Sequence, residues 1–116
     1  MQRRSFEIQD YVVSMGGLKN HTYNHVHFNY YATIRCTKGD NLMLIYFLAP
    51  ESEIPANYGN VRNDEPSYGR IFVPISQLDA YVDLLRNESP VYAHVFEDQP
   101  DYMGISTSEE PVGEGE

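Results

Sequence analysis

Tryptophan is absent from this chain of 116 residues, cysteine occurs once, at Cys36, and Lys plus Arg number 8 against 17 Asp plus Glu. A lone cysteine excludes an intramolecular disulfide and any CxxC metal or redox pair, so the expected compartment is the reducing cytoplasm. The shortage of cations, with a net charge of −9, works against broad attraction to nucleic acid or an anionic membrane. Long apolar runs are missing as well. The longest spans 42–49, far short of the roughly 20 residues a membrane helix needs, so no membrane partner is expected. Arg3 and Arg4 near the N-terminus are followed by no apolar core, so no secretory signal is expected. Walker and Rossmann glycine patterns do not occur, and Ser106 and Ser108 lack a nucleophile elbow.

What is present is enough for one small folded domain. Hydrophobic residues make up 41% of the chain, and ten tyrosines with five phenylalanines supply large groups to bury. Residues 1–107 read as a single α+β domain. The segment 108–116, nearly devoid of apolar side chains, reads as an acidic, disordered tail.

Apolar positions along 6–13 alternate with polar ones, the period of a half-buried strand, and the glycines at 16 and 17 mark a turn after it. In 23–36 the alternation is the most regular of the chain. Val26, Phe28, Tyr30, Ala32, Ile34 and Cys36 form one parity and His25, His27, Asn29, Tyr31, Thr33 and Arg35 the other. Residues 42–48 are apolar throughout, which predicts a third strand buried on both faces. A loop over 51–69 is longer than unstructured loops usually run. A fourth strand over 70–75 ends at Pro74, which donates no ladder hydrogen bond and so suits an exit position.

A helix follows, with Ser76 as its predicted N-cap and Leu78, Tyr81, Val82 and Leu85 as its apolar stripe, closed by Asn87 and Pro90. Two more strands, over 91–96 and 102–107, flank an acidic turn. The expected architecture is a curved antiparallel sheet in the order β-β-β-β-α-β-β, with one helix packed on one face. An apolar third strand in so small a chain points to a sheet-mediated homodimer.

Two surfaces stand out. The face of His25, His27, Asn29, Tyr31 and Arg35 offers rings, hydrogen-bond donors and a guanidinium, groups that serve a protein contact or the stacking of unpaired bases. Charge is uneven in a way that keeps the second use open: residues 1–38 sum to +3 and residues 39–116 to −12. The loop offers Tyr58, Arg62 and Tyr68, side chains typical of interface anchors.

Histidines cluster at His21, His25 and His27, and of these His25 and His27, with His94 from a later strand, are the candidates for metal ligation. With no carboxylate on their face the ligand set is incomplete, and neither metal nor cofactor is expected. Cys36 lies on the inward parity, as a small buried hydrophobe rather than a nucleophile. No carboxylate sits in an apolar strand where burial would tune it for acid catalysis.

The reading that follows is a non-catalytic binding module that forms a homodimer. A single-stranded nucleic-acid binder is the first alternative. An acidic inhibitor presenting Glu97, Asp98 and neighbouring carboxylates to a basic partner is the second.

Overall fold

The computed structural model describes residues 3–61 and 65–109. Among these residues, eight strands and one α-helix follow one another as β1 (Arg3–Glu7), β2 (Asp10–Tyr23), β3 (Val26–Lys38), β4 (Asn41–Leu48), β5 (Tyr58–Asn60), β6 (Tyr68–Pro74), α1 (Leu78–Asn87), β7 (Tyr92–Phe96) and β8 (Gly104–Ser106). The fold is α+β, with one helix and strands that are mostly antiparallel, as the sequence predicts. The strands divide between two sheets rather than forming one: a five-stranded sheet ordered β2-β3-β4-β6-β5 and a three-stranded sheet ordered β1-β7-β8. One pair, β4 with β6, is parallel.

The predicted first strand is two strands. β1 leaves to pair with β7, and β2 continues through the Gly16–Gly17 pair to Tyr23. The turn predicted at these glycines lies further on, at Asn24 and His25, both with positive φ (53° and 68°). A two-residue turn with positive φ at both positions matches the twist of a β-hairpin, and Asn tolerates that region well. Gly16 and Gly17 instead sit where the β2–β3 register slips, between Met15 and Lys19.

β4 is central, between β3 and β6, and buried on both faces as its unbroken apolar run predicts. Met43, Ile45 and Phe47 turn inward to meet Ala32, Ile34, Cys36 and Ile71, along with Phe6, Ala93, Val95 and Phe96 of the small sheet. Leu78 and Leu85 of α1 close this core, and Tyr81 and Val82 pack against it. The apolar stripe read from the sequence is thus the packed face. Ser76 does not cap the helix; it lies in a 3₁₀ turn at Ile75–Gln77, and no side chain caps α1.

The 51–69 segment is not a free loop. It contains β5, which pairs antiparallel with β6. Asn57 accepts the Phe72 backbone N–H at 3.0 Å, and Ser67 donates its N–H and hydroxyl to the Asn41 side chain at 2.9 and 3.0 Å. Val61 is buried in the core. Pro74 ends β6 beyond the reach of β5, so its missing N–H costs no ladder bond.

Candidate interaction surfaces

Ladder partners share a sheet face, so the register assigns each predicted surface residue. In β3, Tyr30 pairs with Leu48 but Ala32 pairs with the preceding Phe47. Tyr31 is therefore an extra residue, a bulge, and the alternation inverts across it. Ala32, Ile34 and Cys36 face the core, whereas Phe28 and Tyr30 face the opposite, outer side with Leu48 and Tyr46. The polar parity is split in the same way: Thr33 and Arg35 are on the outer face, and His27 and Asn29 are on the other.

The single face predicted for His25, His27, Asn29, Tyr31 and Arg35 therefore does not exist. His25 is in the hairpin turn, His27 bonds Thr22 across the hairpin at 2.7 Å, and Asn29 accepts the Ala49 N–H at 2.9 Å. Tyr31 is half-buried at the bulge. Arg35 alone of the five joins the outer face by ladder position.

That outer face holds a second apolar cluster, of Phe28, Tyr46, Leu48 and Phe72 with Tyr23, Tyr30 and Leu44 packed on it. In a flat sheet, Tyr23 of β2 and Phe72 of β6 would be separated by three strand spacings of about 4.8 Å each. Their ring centroids are 5.9 Å apart, so the far half of the β2–β3 hairpin curls over β4 and β6. This curl buries Phe28 to 1% exposure, between Tyr30, Tyr46, Phe72 and His21.

Arg70 lies within this cluster, its guanidinium 4.4 Å from the Tyr23 ring centroid, 5.6 Å from Tyr46 and 5.8 Å from Tyr68. Its Nε donates to the Tyr68 hydroxyl at 2.8 Å. Burial pushes the Tyr23 and Tyr46 phenols up, and the charge of Arg70 opposes the shift. Of the loop residues predicted as anchors, Tyr58 and Tyr68 meet on this face with ring centroids 6.1 Å apart, and Tyr58 remains exposed. Arg62 lies outside the described residues, as does the predicted tail from residue 110 onward.

His94 is in the small sheet, away from His25 and His27, and among the described residues no three of His, Cys, Asp and Glu come together as a metal site. Its two ring nitrogens are occupied. The Ser106 hydroxyl donates to the Ser108 carbonyl at 3.0 Å, so it accepts from Nε2–H at 2.7 Å, and Nδ1 then accepts from the Ser5 hydroxyl at 2.7 Å.

Burial holds the His94 pKa below its ordinary 6.5, because the imidazolium would be desolvated. The unfolded chain therefore takes up this proton at higher pH than the folded chain does. Stability should fall as pH drops below about 6.5, and level off only below the folded pKa. In urea titrations at about pH 7.5 and pH 5.5, His94→Gln should flatten part of the wild-type decline in midpoint; an identical decline in both proteins would refute this.

Cys36 is inaccessible, as its parity predicts, and burial pushes its thiol up to about 12, keeping it protonated.

The remaining surface feature is the edge strand β2, exposed from Asp10 to Thr22. Five large apolar side chains on it are open to solvent: Tyr11, Val12 at 58%, Val13, Met15 at 64% and Leu18 at 52%. Val13 and Met15 also border a groove of about 400 Å³ shared with Leu78 and Val82 of α1. From Asp10 to Met15 the edge carries no Lys, Arg or Pro, the usual devices against edge pairing. The 6–13 alternation marks apolar strand residues, but only the topology shows that those from Asp10 onward lie in a strand unpaired on one side.

No helix among the described residues is long and apolar enough to cross a membrane. Comparison with models of known families, with curated proteins and with solved structures finds no match.

Proposed function

We propose that this chain is a non-catalytic interaction module that forms a homodimer by antiparallel pairing of two β2 edges. The exposed apolar stretch of β2 carries this reading. An unblunted edge presents unpaired backbone N–H and C=O groups together with apolar side chains on both faces, a template for strand addition. Pairing about a two-fold axis brings identical 10–15 segments together and joins the two five-stranded sheets into one. The bulge at Gly16–Leu18 and Lys19 beyond it limit the paired segment to those residues. The closed hydrogen bonds of His94 and the buried thiol of Cys36 support a role without catalysis.

Light scattering should give about twice the 13.3 kDa chain mass. The double substitution Val12→Lys, Met15→Lys places charge on two exposed positions and leaves the monomer core untouched. Removing the burial of these side chains, worth roughly 1.5–3 kcal/mol each, should shift the population to monomer. A wild-type mass equal to one chain at all concentrations, or a doubly substituted protein that remains dimeric, would overturn the proposal.

A further inference from the structure

The aromatic face of the five-stranded sheet has a chemistry that dimerisation through β2 leaves unused. On its ladder positions stand Lys19, Arg35 and Arg70, with Asp10 the one carboxylate, so the face is net positive on a chain of net charge −9. Among the described residues, no carboxylate pairs with Arg70. Its guanidinium is held by ring faces and by one hydrogen bond from Nε to Tyr68, which fixes its plane while its terminal nitrogens have no protein hydrogen-bond acceptor among the described residues.

A part-buried guanidinium with free donors suits an anion, and the Tyr rings around it suit a planar ligand. Tyr58 is the most open of these rings, 42% exposed, and stands beside Tyr68.

We infer that this face binds single-stranded nucleic acid, with bases stacking on Tyr58 and Tyr68 and a phosphate held by Arg70. Stacking on tyrosine needs an unpaired base, which excludes duplex from the same contacts. The acidic remainder of the chain repels a longer phosphate backbone and confines contact to a few nucleotides. A second copy of the chain is the less suited occupant, because a two-fold contact through this face would oppose its cations to themselves.

The probe is a short fluorescein-labelled oligothymidine, titrated with the full chain at low salt and followed by anisotropy, with the matching duplex alongside. Saturable binding of the single strand, at least about tenfold tighter than the duplex, is expected. Three cations on single-stranded nucleic acid should give a slope of log K against log salt of about −2. Tyr58→Ala, at an exposed position, should weaken binding about fivefold or more, the lower end of one lost stack.

Arg70→Lys keeps the charge but loses the plane and should also weaken it. If the Arg70 variant fails to fold, Tyr58→Ala and Arg35→Ala carry the test. Absence of saturable binding, equal affinity for duplex, or indifference to Tyr58→Ala would overturn the inference. So would a dimer that Tyr58→Ala splits, since the face would then be the subunit contact. Val12 shares the outer face with Arg35, whereas Met15 pairs with Ala32 on the opposite face; the single substitution Met15→Lys should therefore weaken the β2 dimer and leave oligonucleotide binding unchanged, so failure of the dimer and failure of this site are read separately.

Discussion

Gly59→Ala should destabilise the protein by roughly 3–5 kcal/mol, a large part of the about 5–15 kcal/mol that holds a domain of this size. A Cβ at Gly59 would lie 2.1 Å from the Phe96 carbonyl oxygen and 2.9 Å from its carbon. Both are backbone atoms of β7, so relief requires moving β5 away from the small sheet. Gly59 is needed for space, since its backbone is not in the left-handed region.

Gly69 supplies the control. A Cβ there meets side-chain atoms only, the Met43 methyl and sulfur at 3.0 and 3.1 Å and the Met103 sulfur at 3.3 Å, and flexible thioether side chains adjust more readily than the backbone that Gly59 faces. Urea denaturation of the two variants should show Gly59→Ala far the more damaging. A loss below about 1 kcal/mol at Gly59 would mean that the sheets are not seated as described.

Phe28→Ala should cost roughly 3–5 kcal/mol, the range for deleting a fully buried ring. The ring makes edge contacts with Tyr46 and Phe72, at centroid distances of 5.2 and 5.1 Å, and also meets His21 and Tyr30, so its loss leaves a cavity lined by side chains from four strands. A reduced near-ultraviolet tyrosine signal should accompany the loss, because Tyr30 and Tyr46 lose their fixed neighbour. If Phe28→Ala is nearly neutral, the outer cluster is surface rather than core, and the curled hairpin is not what orders it.

Phe28 also shows why alternation alone does not assign this sheet's faces. Phe28 and Tyr30 are apolar and share the parity of Ala32, Ile34 and Cys36, so an unbroken alternation assigns all five to one core. One extra residue at Tyr31 sends the first two to the other side, where a separate aromatic cluster awaits them. A period-two pattern carries no mark of a bulge when both faces accept apolar side chains. The same event separates His27 and Asn29 from Arg35, and the hairpin turn takes His25 out of the ladder altogether. Nothing local marks Arg70 as a site, because its neighbours on β2 and β4 are distant in sequence; only the alternation of Tyr68, Arg70 and Phe72 on one strand hints at it.

Local chemistry determined what depended on local chemistry. The α+β class, the stripe on α1, the twice-buried β4 and the inward Cys36 all follow from period and composition, because burial of a face is written into the spacing of apolar residues. The tertiary structure decided which strands pair across long separations: β1 with β7, β4 parallel with β6, and β2 left open at an edge. Those choices arise from the joint packing of two sheets and a helix around one core, whose energy no single segment holds. The scarcity of cations survives as a fact about the whole chain, but folding gathers three of the eight on one aromatic face, and only that arrangement gives them a ligand to suit.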